Sequence, residues 1–326
     1  MQRSAKDKSR LEAIDLARGV ALVAMAIYHL AWDLEFFGYA TPGMTAEGGW
    51  RLFARSIASS FLFLVGVSLF LAHARGFRRG PFLTRLAMVA GAAAAISLVT
   101  WLAVPGGFIF FGILHQIALA SVLGLAFMRA PAWVAIVVGV AVFAAPHFLR
   151  STFFDHPALW WVGLSSVNPH SNDYVPLFPW FAAVLFGIAA AKLAAAAGLF
   201  QRLGQVSLYE WTRPLQFCGR HSLAFYLIHQ PVLIACVWLF SLIAPPAPMA
   251  ADVAFTRACT AQCEEARGQE FCALYCVCVL EGLEEENRLE EIHNQTASPE
   301  TTQRLQEIVQ ECSFQTEFAV PGEEQP

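Results

Sequence analysis

The chain has 326 residues, of which 57% are hydrophobic and 14% are charged, and its formal net charge is −4. Soluble domains carry about 25% charged residues, so this composition excludes an ordinary soluble globular protein and favours a membrane protein. The negative net charge and the lack of any P-loop, dinucleotide fingerprint or DNA-binding motif argue against nucleic acid as a partner.

The first 244 residues consist of long apolar runs that are joined by short loops. A helix needs about 20 mainly apolar residues to cross a bilayer. Seven segments meet this description, near residues 12–34, 53–73, 84–104, 108–128, 132–149, 176–197 and 220–244. We therefore predict an all-α fold, a polytopic helical bundle in the lipid bilayer.

Lysine and arginine residues indicate which span ends lie in the cytoplasm. They precede the first span and follow the second, fourth and sixth spans, whereas the other side has only Arg51, Arg55 and Arg150 near its span ends. We therefore expect a multi-pass protein of a bacterial inner membrane with a cytoplasmic N-terminus. Seven spans then place the C-terminal tail in the periplasm.

The first span carries ionisable residues at a helical spacing. Arg18 and His29 are separated by almost three turns, or about 16 Å along a helix, so both side chains point the same way. Asp15 lies on the same stripe, and Asp33 lies one turn beyond His29. Ionisable groups inside a bilayer are costly and often mark a site or a pathway. The alternatives are a structural Asp15–Arg18 pair and a buried histidine that bonds to a neighbouring helix.

Arginines cluster at the predicted cytoplasmic end of the second and third spans: Arg75, Arg78, Arg79 and Arg85. A guanidinium binds phosphate oxygens through two parallel hydrogen bonds, so this loop is a candidate site for a phosphate-bearing donor. The general excess of basic residues in cytoplasmic loops explains the cluster equally well.

Five further residues are candidates for binding a substrate, and those on the fourth and seventh spans could line the path of the acceptor or of the donor. Arg51 and Arg55 lie four positions apart at the outer mouth of the second span, and His115 interrupts the fourth span. Tyr226 and His229 share a polar face of the seventh span. Polar contacts between helices, worth about 1 kcal/mol each, are the alternative for the last three residues.

The composition changes at residue 245, within the proline-rich stretch APPAP of residues 244–248. Residues 245–326 hold sixteen of the 25 acidic residues, six of the eight cysteines and no lysine. An antiparallel helical hairpin would pair Cys259 with Cys276 and Cys263 with Cys272, and would leave Cys278 for Cys312. Six cysteines allow fifteen connectivities, so this pairing is only the simplest one geometrically. A zinc site formed by the cysteine pairs is the alternative interpretation. We expect a separate helical domain that disulfides link in an oxidising compartment.

Several stretches resemble one known family. They are RLEAIDLARGVALVAMAIYHLAWDLEFFG, ASSFLFLVGVSLFLAHARG, FFGILHQIALASVLGL, FPWFAAVLFGIAAAKL and GRHSLAFYLIHQPVL. In this order they resemble the bacterial family related to the catalytic domain of heparan-alpha-glucosaminide N-acetyltransferase, over about residues 10–235. The first stretch is also similar to the wider family of membrane acyltransferases that modify surface glycans. An arginine and a histidine at this spacing belong to that family's catalytic centre, which implies such roles for Arg18 and His29.

Two further comparisons refine the resemblance. The run RGFRRGPFLTR resembles the cytoplasmic arginine motif of the glycan acyltransferases. The loop GYATPGMTAEGG has no histidine, although the eukaryotic acetyltransferase has its catalytic histidine in the loop after the first span. The resemblance to glycan acyltransferases alone therefore supports His29.

The resemblance implies an acyltransferase that moves an acyl group such as acetyl from cytoplasmic acyl-CoA to a hydroxyl or amine of an extracytoplasmic glycan. Arg18 and the arginine loop would bind acetyl-CoA, His29 would act as the base, and Asp33 would fix its tautomer. No metal is expected. The alternative is a non-catalytic subunit of a membrane complex whose partners bind the tail.

Overall fold

A computed structural model describes residues 11–74, 76–167, 169–206, 208–247, 250–264, 267–294 and 296–319. The chain divides into two compact units, residues 1–244 and residues 245–326. Both units are built from helices, and the described residues contain no β-strand. The all-α fold expected from the composition is confirmed.

The described part of the first unit contains helices of very different lengths. They are α1 (Glu12–Phe36), α2 (Gly48–His73), α3 (Arg79–Ala103), α4 (Ile113–Gly124), α5 (Ala132–Phe148), α6 (Leu177–Ala196), α7 (Leu199–Leu203), α8 (Arg213–Arg220) and α9 (Ser222–Ile243). Among the described helices, α1, α2, α3, α6 and α9 are long and apolar enough to cross a membrane. The helices α4 and α5 are also apolar but shorter. The protein is a multi-pass membrane protein.

The fourth predicted span, 108–128, becomes helical about one turn later than expected, because α4 begins at Ile113. Side chains of α3 form hydrogen bonds with the irregular backbone that precedes α4. Ser97 Oγ donates to the carbonyl of Ile109 at 2.6 Å, and the Ile109 N–H donates to Thr100 Oγ1 at 3.1 Å. Irregular backbone is tolerated at membrane depth only where other protein groups satisfy it. The predicted start of this span is therefore wrong.

The core of the first unit lies where α2 and α6 cross. A Cβ atom added at Gly66 would lie 2.1 Å from the carbonyl oxygen of Val184, and one at Gly187 would lie 2.1 Å from that of Phe63. Small residues allow helix backbones to approach closely in membranes, where dispersion contacts rather than water exclusion hold helices together. Around this crossing lie fully buried apolar side chains, among them Leu62, Leu185 and Ile188.

The second unit is a small helical domain with its own core. Its described helices are α10 (Ala251–Glu264), α11 (Gln269–Glu285), α12 (Leu289–His293) and α13 (Pro299–Ala319). Val279 and Leu283 of α11 pack against Ile308 of α13 in the interior. On the surface, Arg304 bonds to Glu286 at 2.6 Å. This unit therefore folds around a core of its own.

Three disulfides link the helices of the second unit. They are Cys259–Cys276, Cys263–Cys272 and Cys278–Cys312, with Cα–Cα distances of 5.8, 5.6 and 5.7 Å. The first two cross-link the antiparallel α10 and α11, because cysteines four positions apart share one helix face on each helix. A helical, disulfide-linked tail is therefore confirmed, with the pairs of the expected hairpin.

The disulfide that ties α13 to α11 closes the longest of the three loops. The variant with Cys278→Ser and Cys312→Ser should lose about 4 kcal/mol of stability in this unit, because the unfolded chain is no longer constrained over a separation of 34 residues. Hydrogen exchange of the α13 amides measures this loss. The free cysteines Cys218 and Cys236 of the first unit provide the control double variant. Equal α13 protection in both variants would contradict the prediction.

Candidate functional site

A buried ion network lies near the start of α1. Arg18 Nη1 bonds to Asp15 Oδ1 at 3.2 Å, and a second nitrogen of Arg18 donates to Ser68 Oγ of α2. Arg220 of α8 lies 3.9 Å from Asp15 Oδ2. Asp15 is 2% exposed, so its charge needs compensation by cations, and Arg18 and Arg220 are the described residues that provide it. The Asp15–Arg18 pair, which is the structural alternative for Arg18, is present, and it is part of a larger network over three helices.

Glycines bring α8 close enough to α1 for this network. A Cβ atom at Gly219 would lie 1.8 Å from the carbonyl oxygen of Asp15, and one at Gly19 would lie 2.0 Å from the carbonyl oxygen of Leu215. Any larger residue at either position forces the two backbones apart. The position of Arg220 beside Asp15 therefore depends on the absence of a side chain at Gly19 and Gly219.

Two histidines meet at the other end of the stripe. The rings of His29 on α1 and His229 on α9 have centroids 5.0 Å apart in an edge-to-face arrangement. Nδ1 of His229 lies 2.7 Å from the backbone carbonyl of Tyr226, so this nitrogen carries the proton and Nε2 is the acceptor. Nε2 is buried and has no hydrogen-bond partner in the part of the chain that the structure describes. Two predicted site residues, which belong to different spans, are thus in contact.

Asp33 and Gln230 lie beside this histidine pair. Gln230 Nε2 donates to Asp33 Oδ1 at 2.7 Å, so Asp33 is bonded across to α9. The expected bond between Asp33 and His29 is therefore wrong in this structure, because α9 supplies a donor that the spacing on α1 did not reveal. Asp33 Oδ2 and Gln230 Oε1 are both buried, and no described residue forms a hydrogen bond with either atom. Such groups cost free energy unless a donor reaches them.

His115 and Tyr226 make contacts that hold helices together. His115 Nδ1 accepts from the Gly112 N–H at 3.2 Å, and its Nε2 lies 3.2 Å from Ser97 Oγ. Tyr226 interacts with Asp173 in the loop before α6. Both contacts fit the interhelical alternative of the sequence interpretation, and the structure does not bring His115 into the His29–His229 cluster.

The arginine loop lines a small cavity between α2, α3 and α4. Its volume is about 250 Å³, and its lining includes Arg78 and Arg85 together with His73. None of the described residues that line it is a carboxylate, so an anion would find two guanidinium groups there. Arg79 is exposed at the start of α3, and the structure does not place it in this cavity. Arg75 lies outside the described residues.

Arg55 lines a second, much larger cavity of about 1330 Å³ between α1, α2, α5 and α6, which we call the lateral groove. Its wall on α1 is formed by Ala17, Val20, Ala21 and Ala24. Arg18 and His29 lie on a different face of α1 and line neither the groove nor the small cavity. Arg51 is exposed one turn before Arg55 and is not part of the groove lining.

Sequence reasoning missed two partners of the stripe, Ser68 and Gln230. Each lies on a helix far along the chain from α1, at separations of 50 residues for Ser68 and 197 residues for Gln230. Gln230 directly follows His229, so a search for every polar group on the seventh span would have found it. Serine is common in membrane helices and carries no such signal.

One comparison with known proteins identifies a relationship. The model of the family described as "Heparan-alpha-glucosaminide N-acetyltransferase, catalytic" matches residues 10–231. No curated protein and no solved structure matches the chain. The match contains α1 with its stripe, the arginine loop and the first part of α9, including His229 and Gln230.

Gly219→Ala should break the ion network without changing a charged residue. The added methyl group collides with the Asp15 carbonyl, so α8 must move away and Arg220 must leave Asp15. We expect a loss of several degrees in melting temperature, since a buried charge loses a partner. Gly91→Ala on α3 is the matched control, because nothing lies within 4 Å of its added Cβ. Equal melting temperatures for the two variants would contradict this account of the packing.

Proposed function

This chain belongs to the family of the heparan-alpha-glucosaminide N-acetyltransferase catalytic domain, and on that premise we propose a specific transfer across the membrane. Its donor is cytoplasmic acetyl-CoA or another acyl-CoA. Its acceptor is a hydroxyl or amine of a glycan on the opposite side. The membrane is the inner membrane of a bacterium, with the N-terminus in the cytoplasm and the acidic tail in the periplasm.

The observation that carries this proposal is the cluster of unsatisfied polar atoms around His29. His229 Nε2, Asp33 Oδ2 and Gln230 Oε1 are buried acceptors that receive no hydrogen bond from a described residue, and all belong to residues that contact His29 or one another. A sugar offers several hydroxyl donors in a small volume. A glycan hydroxyl or amine in this cluster would satisfy these acceptors and would come within reach of the imidazole.

The proposed chemistry follows from the functional groups. The neutral imidazole of His29 takes the proton of the acceptor hydroxyl or amine as that atom attacks the thioester carbonyl carbon. The carbon–sulfur bond breaks, and coenzyme A leaves as a thiolate that takes up a proton. Asp33 and Gln230 hold the acceptor in place. Arg18 lies about 16 Å further along α1 and serves the phosphate-bearing part of the donor.

The donor phosphates have a second candidate site in the small cavity lined by Arg78 and Arg85. Its volume of about 250 Å³ is roughly that of eight water molecules, so it holds phosphate groups but not a whole coenzyme A. The pantetheine arm would then have to extend from there along the bundle toward His29.

Removing the imidazole tests the catalytic assignment. We expect His29→Ala to lower acetyl transfer from radiolabelled acetyl-CoA to candidate glycans by at least about 100-fold, which is the usual contribution of a general base. His170→Ala, at an exposed loop position, is the control and should keep full activity. If purified His29→Ala transfers acetyl groups at the normal rate, His29 is not the base.

Removing the loop charges tests the donor site separately. Arg78→Gln and Arg85→Gln should each raise the KM for acetyl-CoA by about tenfold and leave kcat nearly unchanged, because each loses a charge-assisted bond to phosphate. Arg129→Gln also removes a positive charge from the predicted cytoplasmic side, but outside the cavity, and should leave KM unchanged. Equal KM values for all three variants would show that general charge attraction, rather than this cavity, serves the donor.

A further inference from the structure

The lateral groove is too large and too apolar for a small polar metabolite. Its volume of about 1330 Å³ exceeds the range of about 300 to 1,000 Å³ that is usual for small-molecule sites. Its lining on α2 runs from Phe53 to Leu64, which is about 16 Å of helix, or half of the hydrocarbon core. This shape fits an extended apolar chain.

The groove is open on one side along the apolar part of the bundle. Val20 is 53% exposed, Phe63 is 36% exposed and Phe143 is 59% exposed, although all three line it. Two of the three serine hydroxyls on the α2 wall are bonded to carbonyls of their own helix. Ser56 Oγ bonds to the Leu52 carbonyl at 2.8 Å and Ser60 Oγ bonds to the Ser56 carbonyl at 2.7 Å. A chain could therefore enter sideways from the bilayer.

Among the described lining residues, the basic side chains lie at one end of this apolar surface. Arg55 near the start of α2, His147 near the end of α5 and Arg150 just after α5 all line the groove and are exposed. These helix ends lie on the same side of the bundle, the predicted outer side. Neither arginine forms an ion pair with any described residue.

The carboxylates of the neighbouring loop are already bonded elsewhere. Asp155 accepts from Ser165 Oγ at 2.7 Å and from Ser166 N–H at 2.8 Å, and the hydrogen bonds from Ser166 and Ser165 hold the pKa of Asp155 below its ordinary value. Asp173 accepts from the Ile113 N–H at 2.9 Å. The protein thus leaves the charges of Arg55 and Arg150 for an anion from outside the chain.

We infer that the lateral groove binds a phosphate-headed lipid of the bilayer, with its chain along α1, α2 and α6 and its phosphate between Arg55 and Arg150. An arginine pair binds phosphate oxygens through several charge-assisted hydrogen bonds. This lipid site goes beyond the proposed function, because Arg18 and His29 lie on another face of α1. The site can hold or fail independently of acyl transfer.

Photo-crosslinking tests the site in the purified full-length protein without donor or acceptor. The probe is dodecyl phosphate with a diazirine in its chain, and the matched neutral probe is dodecanol with the same diazirine. We expect the phosphate probe to label peptides of α2 and α6 within the groove, at least about tenfold more than the alcohol. Excess inorganic phosphate should not compete, since it lacks the chain.

Variants test separately the binding of the phosphate by the arginines and the binding of the chain by the apolar wall. Arg55→Gln with Arg150→Gln should reduce labelling by the phosphate probe about tenfold, and Arg129→Gln should not. Ser60→Phe should block the apolar wall, whereas Thr84→Phe is its matched control, since Thr84 is exposed, bonds to its own helix and lies outside the groove. Melting temperatures close to the parent's show that the variants fold.

Three outcomes would overturn the inference. Equal labelling by phosphate and alcohol would reduce the groove to a general apolar surface. Competition by inorganic phosphate would identify a free-anion site without a lipid chain. Labelling spread over α3 and α9, outside the groove, would show that the probe reports only contact with the membrane face.

Discussion

A buried carboxylate within an apolar helix determines how this bundle is assembled. Asp15 is almost fully buried, so its charge requires Arg18 from the same helix and Arg220 from α8. Arg220 reaches it only because Gly19 and Gly219 let the two backbones touch. The electrostatic requirement and the close packing therefore depend on each other. Together they fix the face that α1 presents to α8 and α9.

Once that face is fixed, the rest of the stripe follows from helical geometry. The same rotation of α1 that directs Arg18 inward directs His29 toward His229 and Asp33 toward Gln230. The same rotation turns another face of α1, with its small apolar residues, toward the lateral groove, where it forms one wall. One helix thus carries a polar inner face and an apolar outer one, and the two cation-lined cavities lie at different ends of α2.

The sequence predicts what depends on local periodicity. The spacing of Arg18 and His29 placed them on one stripe, and the i, i+4 cysteine pairs predicted a helical hairpin, because one helix alone determines each pattern. What it could not predict depends on contacts between distant segments. The spacing on α1 predicts His29 as the partner of Asp33. The observed partner is Gln230, and this bond depends on how α9 packs against α1. The late start of α4 likewise depends on Ser97 and Thr100 of another helix.

The central claim is that an acyl donor from the cytoplasmic side delivers its thioester to the His29–His229 pair. A coenzyme A thioester with a diazirine in its acyl group tests this claim directly when it is photolysed with the purified protein. The account predicts labelling of peptides that contain His29 or His229, and protection of both peptides by excess acetyl-CoA. Labelling confined to helices away from α1 and α9, or labelling that acetyl-CoA does not reduce, would contradict it.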